Sequence, residues 1–238
     1  MSLADQAISR IRALIYSGEL LPGSKLPPEQ DLARELGLSR NLMREAVRAL
    51  VVARVLEVRR GDGTYVTSLE PSLLLEGLGS AIELLQGDTV LEVMEVRRLF
   101  EPVAAGVAAA RISATGLAAV ERHLSVMRTA RHDVVLLNEH DVAFHRAVAA
   151  ATGNETLASL LENISRRTVR ARIWRGMIDD DVADRTLTEH EAIYQALAAG
   201  DAMLAQASSL VHVSTTEKWL REHLSLDANS TEVPLPTT

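Results

Sequence analysis

Residues 36–50 read LGLSRNLMREAVRAL, and this stretch decides the fold of the first part of the chain. Gly37 suits the left-handed conformation that ends many helices, and it follows a helix predicted over residues 28–36. Ser39 is a favourable N-cap and predicts a third helix over residues 40–53. The residues of this helix expected to face inward are Leu42, Val47 and Leu50. The stretch therefore predicts two helices joined by a tight turn.

The flanking residues complete this unit. Apolar residues recur at helical spacing between Ile8 and Ile15, which predicts a first amphipathic helix. Two β-prone runs, residues 55–58 and 64–67, are joined by Gly61-Asp62-Gly63, which predicts a hairpin. Three helices and a hairpin form the plan of a winged helix-turn-helix, whose recognition helix enters the major groove of DNA.

The predicted DNA contacts lie on the third helix and the hairpin. Arg40 and Arg44 are four residues apart, so they share a face on which each guanidinium can bind guanine or phosphate. Ser39 and Asn41 can add hydrogen bonds to the backbone, and Arg59, Arg60 and Gly61 lie on the wing. A single arginine is more often only a solvated surface residue. The arrangement as a whole favours DNA binding.

Charge is distributed unevenly along the 238 residues. Residues 1–68 hold 10 Lys and Arg against 8 Asp and Glu, whereas residues 69–238 hold 15 against 24. Only the first part is suited to meet phosphate. The chain has no cysteine, which excludes disulfides and thiolate sites, and no apolar run is long enough to span a membrane. We expect a cytoplasmic protein with no membrane contact.

The rest of the chain predicts a mainly α protein. After the winged helix-turn-helix of residues 1–68, residues 69–79 contain Pro, Gly and Ser and are predicted to be a hinge. Residues 80–224 predict an antiparallel all-helical bundle of about six helices, and residues 225–238 predict a disordered tail.

Four polar residues of the second part form a metal-ligand pattern. Asp141 and His145 are spaced i, i+4 on one helix face, while His190 and His212 follow on later helices. One carboxylate and three imidazoles suit Zn²⁺, and also Ni²⁺ or Mn²⁺. Spacing alone leaves open whether the four meet, because a helical histidine is more often an ordinary hydrogen-bonded residue.

The N-terminal residues resemble the DNA-binding domain of GntR-type regulators. The resemblance is carried by Pro22-Gly23-Ser24-Lys25-Leu26-Pro27, Leu36 to Arg40, Arg44-Glu45-Ala46-Val47 and Gly61 to Val66. It implies Arg40, Arg44 and Gly61 as DNA contacts. The chain departs from the family at Gln30, where an arginine is usual, and at Arg54, where a glycine is usual. Gln30 can still bond a base or phosphate.

Residues 90–215 resemble the all-helical FCD effector domain of the FadR-type branch of that family. The matching segments are Glu95 to Pro102, Asp141 to His145, Gly153-Asn154, Glu189 to Ile193, Gly200-Asp201 and His212. The resemblance implies that Asp141, His145, His190 and His212 hold a metal, and that Arg97 lies near a bound carboxylate effector.

Together these features predict a DNA-binding transcription regulator, most readily a repressor, controlled by a small carboxylate or hydroxy-acid at the metal. A homodimer on a palindromic operator is expected, because each chain has one recognition helix. One alternative is a metal hydrolase or lyase with Glu189 or Glu191 as base. The other is an architectural DNA binder without an effector.

Overall fold

A computed structural model describes residues 3–75, 89–179 and 181–227. The chain divides into two compact units, residues 1–81 and 82–238, and each is described separately. The first contains α1 (Leu3–Tyr16), α2 (Glu29–Glu35), α3 (Arg40–Val52), β1 (Leu56–Arg59), β2 (Gly63–Val66) and the short α4 (Pro71–Leu74). The second contains α5 (Thr89–Ala109), α6 (Ala114–Thr129), α7 (Val134–Ala150), α8 (Glu155–Arg167), α9 (Val169–Ile178), α10 (Val182–Ala198) and α11 (Ala202–Asp227). The predicted mainly α fold is confirmed.

The first unit packs α1, α2 and α3 around one aliphatic core. Ile11 of α1, Leu32 of α2 and Leu56 of β1 are almost wholly buried in it. Of the α3 residues predicted to face inward, Val47 and Leu50 are buried. Leu42 is only partly buried, and its neighbour Met43 is fully buried instead. The α3 residues that form the buried face are Met43, Ala46, Val47 and Leu50.

The turns of this unit follow from a few residues with special conformations. Gly37 has φ 68° at the end of α2, and the Ser39 hydroxyl accepts a hydrogen bond from the Leu42 amide at 3.3 Å to cap α3. Arg54 follows α3 with φ 59°, so a non-glycine residue occupies the left-handed position there. The predictions for Gly37 and Ser39 are confirmed.

The wing is a two-stranded antiparallel hairpin. Its register pairs Leu56 with Val66 and Arg59 with Gly63, so the tip lies at residues 60–62. Gly61 has φ 75° in that tip, a conformation that glycine adopts without strain. Leu56 and Val66, at the base of the hairpin, are each 1% exposed, so the core of the first unit holds the wing in place.

The second unit is a helical bundle in which α5 and α11 are the long central pair. They run antiparallel, because Gly106 of α5 lies against the Ala202 carbonyl near the start of α11, whereas Arg98 pairs with Glu217. Small residues such as Ala108 and Ala205 are fully buried and allow close helix approach. The large buried side chains of the main core include Leu124, Met127, Phe144, Ile193 and Leu197.

Three features of the helices differ from the predictions. The described part of the second unit contains seven helices, whereas about six were predicted. The additional helix arises because the helical run is interrupted at Thr168, where no glycine or proline marks a break. The short α4 lies inside the predicted hinge, whose residues 76–79 fall outside the described residues. Residues 225–227 continue α11 instead of beginning a disordered tail, and residues 228–238 of that predicted tail fall outside the described residues. No helix in the described part is long and apolar enough to cross a membrane.

Candidate metal centre and nucleic-acid interface

The structure brings Asp141, His145, His190 and His212 together. Asp141 and His145 project from one face of α7, His190 from α10 and His212 from α11, and all four are buried. One ligand atom from each lies within 4.8 Å of the others. The Nε2 atom of His145 is 3.1 Å from that of His212 and 3.3 Å from that of His190, which is 3.2 Å from Asp141 Oδ1.

Asp141 and the three histidines form a tetrad, and each histidine uses its Nδ1 atom to contact an acceptor outside this tetrad. The Nδ1 atom of His190 lies 2.7 Å from the Thr186 carbonyl oxygen, so it must be protonated to donate. The Nδ1 atom of His212 lies 2.8 Å from Glu189 Oε2, and that of His145 lies 3.3 Å from Glu101 Oε2. These partners fix the tautomer and orient the rings, as they do at metal sites.

The tautomer inferred from these Nδ1 contacts shows whether a metal fits. With Nδ1 protonated, the Nε2 atom of His145 presents its lone pair to the lone pairs of His212 Nε2 at 3.1 Å and His190 Nε2 at 3.3 Å, an arrangement that repels unless a cation lies between them. A zinc–nitrogen bond of about 2.0–2.1 Å places two nitrogen ligands about 2.9 Å apart at right angles and about 3.4 Å apart at tetrahedral angles. The observed separations lie within this interval. The four residues fit a divalent metal ion.

Electrostatics keep the imidazoles in the form that binds metal. Burial lowers the pKa of His190 to about 4, against the opposing effect of its bond to Thr186. Burial likewise lowers the pKa of His212 to about 4, with the neighbouring His190 adding to the effect, and holds the pKa of His145 well below its usual value. All three histidines are therefore neutral near pH 7, as metal ligation requires.

Arg97 lies beside the tetrad but is engaged with protein groups. Its side chain is 1% exposed, and its Nε and Nη2 atoms donate to both Glu101 oxygens at 2.6 and 3.3 Å. Its Nη1 atom donates to the Thr168 hydroxyl at 2.8 Å, at the break between α8 and α9. Burial opposes ionisation of Glu101, but the positive charge of Arg97 outweighs it and holds the pKa of Glu101 well below its usual range. Glu101 is therefore ionised and orients His145.

A cavity of about 220 Å³ opens beside the tetrad, and it contains two ligands of the tetrad, Asp141 and His212, in its wall. Two arginines that the sequence analysis did not single out, Arg172 and Arg175 of α9, also line it, whereas Arg97 is not among its lining residues. Their i, i+3 spacing was a weak signal, because charged pairs at that spacing are usually solvated. Here they are 8% and 4% exposed.

The predicted DNA contacts lie on the surface of the first unit. Arg40, Asn41 and Arg44 are exposed at the start of α3, and Arg44 Nη2 is 3.4 Å from Asn41 Oδ1. Gln30 on α2 is exposed too. The Ser39 hydroxyl is exposed but already caps α3. Their roles toward DNA stay predictions.

The wing carries a network of charged groups that the sequence analysis did not identify. Arg59 donates to Glu57 at 2.6 Å and lies over the Tyr65 ring at 4.0 Å. Asp62 accepts from Lys25 at 2.8 Å and from the Tyr65 hydroxyl at 2.6 Å. These contacts balance the acidic residue at the tip. Arg60 and Gly61 are exposed beside it.

Comparison with known proteins agrees with this arrangement. Residues 3–66 match the family described as bacterial regulatory proteins, gntR family, and residues 92–215 match the FCD domain. The regulator LutR of Bacillus subtilis is 35% identical over 209 residues, which cover 86% of this chain and 94% of LutR. The galactonate operon transcriptional repressor of Escherichia coli is 31% identical over 227 residues, covering 93% and 98% of the two chains. The solved structure of Streptococcus agalactiae GntR aligns with a TM-score of 0.69 at 30% identity, covering 91% of this chain and 99% of that one.

The fold and the site define a DNA-binding transcription regulator built from a winged helix-turn-helix and a helical domain. The chain belongs to the gntR family of bacterial regulatory proteins, in the branch that carries an FCD domain. The matched families and relatives are transcription regulators and not enzymes, so the hydrolase or lyase alternative is set aside.

Proposed function

We propose that this protein is a repressor whose operator binding is controlled by a small carboxylate or hydroxy-acid bound at a divalent metal, Zn²⁺ in the first instance. The observation that carries the proposal is the convergence of three neutral imidazole nitrogens and one carboxylate beside a cavity lined by buried arginines. Metal and guanidinium groups both bind carboxylates.

The size and position of the cavity support a small ligand. A volume of about 220 Å³ is below the range of about 300–1,000 Å³ that is usual for drug-sized ligands. Asp141 and His212 belong to both the tetrad and the cavity wall, so a ligand in the cavity can reach an open coordination position. The Galactonate operon repressor and the putative regulator of an L-lactate dehydrogenase operon are among the relatives of this chain, which is consistent with a hydroxy-acid ligand.

A ligand can alter DNA binding only if it binds one arrangement of the protein more tightly than another. We propose that the cavity supplies this difference, because its wall is built from α7, α9, α10 and α11 and a ligand contacts all four. The DNA-reading residues are Arg40, Arg44 and Gly61 first, with Ser39, Asn41, Gln30, Arg59 and Arg60 in supporting roles.

The working form is proposed to be a homodimer on a palindromic operator. Each chain has one recognition helix, and a palindrome presents two half-sites. Leu99, Phe100 and Val103 expose apolar side chains on one face of α5, with exposed fractions of 56%, 44% and 52%. Exposed apolar surface of this kind is typical of an interface. Sedimentation of the protein–operator complex tests this, with two chains per operator expected and one chain per operator contradicting it.

The proposal as a whole is tested by metal content and ligand binding. Purified protein is expected to contain about one divalent ion per chain by elemental analysis. A thermal-shift panel of small carboxylates is expected to contain members that raise Tm in a concentration-dependent way. His145→Ala is expected to remove both the ion and the ligand-dependent shift. Retention of both by this variant would contradict the proposed site.

A further inference from the structure

The two arginines of the cavity have buried donors without protein acceptors. The Nε atoms of Arg172 and Arg175 are both buried and have no hydrogen-bond partner among the described residues. The Nε atom of Arg175 forms an ion pair with Asp179 Oδ2, but at 4.0 Å this contact is longer than a hydrogen bond. A buried donor that remains unpaired costs stability, so such groups normally meet a partner. Both arginines line the cavity, which indicates that the missing acceptors belong to a ligand there.

The cavity has two polar ends separated by one helical turn. At the metal end, Arg172 forms an ion pair with Asp141, and His212 extends from α11. At the other end, Arg175 donates to the Thr216 hydroxyl at 2.9 Å. His212 and Thr216 are four residues apart on α11, which corresponds to about 6 Å along the helix axis. A ligand that reaches both ends therefore needs two acceptor groups at a comparable separation.

The charges around the cavity also indicate how much negative charge that ligand carries. Three largely buried carboxylates face three buried guanidinium groups: Glu101, Asp141 and Glu189 against Arg97, Arg172 and Arg175. Two further charged residues line the cavity, and each has a partner of opposite charge outside the wall: Arg131 pairs with Asp184, and Asp179 pairs with Arg185. Asp179 also lies 4.0 Å from Arg175, which leaves the total charge unchanged. Ligating histidines are neutral. The protein groups therefore balance, and a divalent ion leaves an excess of two positive charges.

We infer that the ligand of this cavity is a short-chain dicarboxylate, with one carboxylate at the metal end and the other on Arg175 and Thr216. This inference rests on the proposed function and narrows its ligand class. A dianion offsets the two excess positive charges of the metal-loaded site. Without such an anion, these buried charges would be uncompensated, which is costly in free energy. It also supplies the forked acceptor that a guanidinium binds best.

The test compares two ligands that differ only at the distal group. L-Malate and (S)-2-hydroxybutyrate share chain length and the hydroxy-carboxylate end, but the second has a methyl group in place of the distal carboxylate. Calorimetry with zinc-loaded full-length protein is expected to show malate binding on the order of tenfold tighter, or more. Inorganic phosphate, a dianion too short to reach both ends, is expected to bind more weakly than malate.

Substitutions test whether Arg175 and Thr216 bind the distal carboxylate. Arg175→Gln is expected to reduce the ratio of the malate to the 2-hydroxybutyrate affinity to near one, and Thr216→Val to reduce it by a smaller factor. Arg128→Gln, which changes an arginine paired with Glu121 and Glu191 at the surface, is expected to keep the ratio of the unmodified protein. Zinc content and Tm of each variant establish that it is folded.

The outcomes separate this inference from the proposed function. Equal or tighter binding of 2-hydroxybutyrate overturns the dicarboxylate assignment but leaves a metal-dependent carboxylate sensor in place. Tighter binding of phosphate than of malate overturns the two-ended site in the same way. Absence of binding by every carboxylate to zinc-loaded protein overturns both.

Discussion

His212 Nδ1 lies 2.8 Å from Glu189 Oε2, and this contact joins α11 to α10 behind the metal tetrad. Burial opposes ionisation of Glu189, but its hydrogen bond to His212 outweighs this and lowers the pKa of the carboxyl group. An ionised Glu189 holds the proton on Nδ1 and leaves Nε2 free to bind a cation. We therefore propose that Glu189 positions His212 for metal binding and does not act as a catalytic base.

Replacing this carboxylate tests that role. Glu189→Gln keeps the side-chain shape but removes the charge, and metal affinity is expected to fall by about 10–100-fold. Chelator competition measures the metal affinity of both proteins. Glu191→Gln is the matched control, because Glu191 lies two residues away and pairs with Arg128 at the surface. Equal losses in the two variants would show that the contact with His212 is unimportant.

Metal removal is expected to destabilise the second unit. A bound ion stabilises the folded chain by mass action and also relieves the repulsion among the three Nε2 atoms. Dialysis against a chelator should therefore lower Tm, and added Zn²⁺ should restore it. His190→Ala is expected to make Tm insensitive to both treatments. A chelator-independent Tm in the unmodified protein, with the metal shown to be absent, would argue against a structural contribution from the site.

The apolar core beside the tetrad should dominate the free energy of unfolding of the second unit. Phe144 is fully buried and packs edge-on to the His190 ring, with ring centroids 4.4 Å apart. Phe144→Ala is expected to lower the free energy of unfolding by about 3–5 kcal/mol in urea denaturation. Met203→Ala, near the start of α11 at a side chain that is 78% exposed, is expected to change it by less than about 0.5 kcal/mol. Similar losses at both positions would contradict the assigned core.

The recognition helix should read bases through its arginines. Arg44→Ala is expected to weaken operator binding by about 1–3 kcal/mol and to relax specificity at one base position. Fluorescence anisotropy with an operator selected from a randomised DNA pool measures this. Arg122→Ala, at an exposed arginine of the second unit, serves as the control and should bind like the unmodified protein. A uniform loss across all sequences would instead assign Arg44 to a phosphate contact.

Gln30 stands where the family usually has an arginine, and restoring the arginine should strengthen DNA binding. Gln30 is exposed on α2, and Gln30→Arg restores the residue type that is usual in the family. Affinity for DNA is expected to rise, and the slope of log K against log salt to steepen by about one unit if the new arginine binds phosphate. An unchanged slope and affinity would show that this position does not face DNA.

Much of the fold could be predicted from the sequence because its signals are local. Gly37, Ser39 and the glycines of the wing determine turns through their own backbone preferences, and the helical period of apolar residues determines which faces are buried. The break at Thr168 could not be predicted, because no glycine or proline marks it and one of the two hydrogen bonds of its hydroxyl is long-range. The Thr168 hydroxyl donates to the Ser165 carbonyl and accepts from Arg97, which lies 71 positions earlier in the chain.

The candidate site also combines features with a local sequence signal and features that depend on long-range packing. Their i, i+4 spacing predicts that Asp141 and His145 share a helix face. Whether they meet His190 and His212 depends on how three helices pack. Sequence spacing also gave no means of separating Arg97, which is saturated by Glu101 and Thr168, from Arg172 and Arg175, which line the cavity. Orientation of the side chain decides which arginine is available to a ligand.

If a ligand at the metal controls operator binding, ligand occupancy and operator affinity are coupled, and this coupling can be measured. Operator affinity of zinc-loaded protein is measured by anisotropy without and with a saturating carboxylate, and again for His212→Ala. We expect the ligand to change the operator Kd by about 5–150-fold in the unmodified protein and to leave it unchanged in the variant. An operator Kd that is the same with and without a ligand shown to occupy the cavity would contradict it.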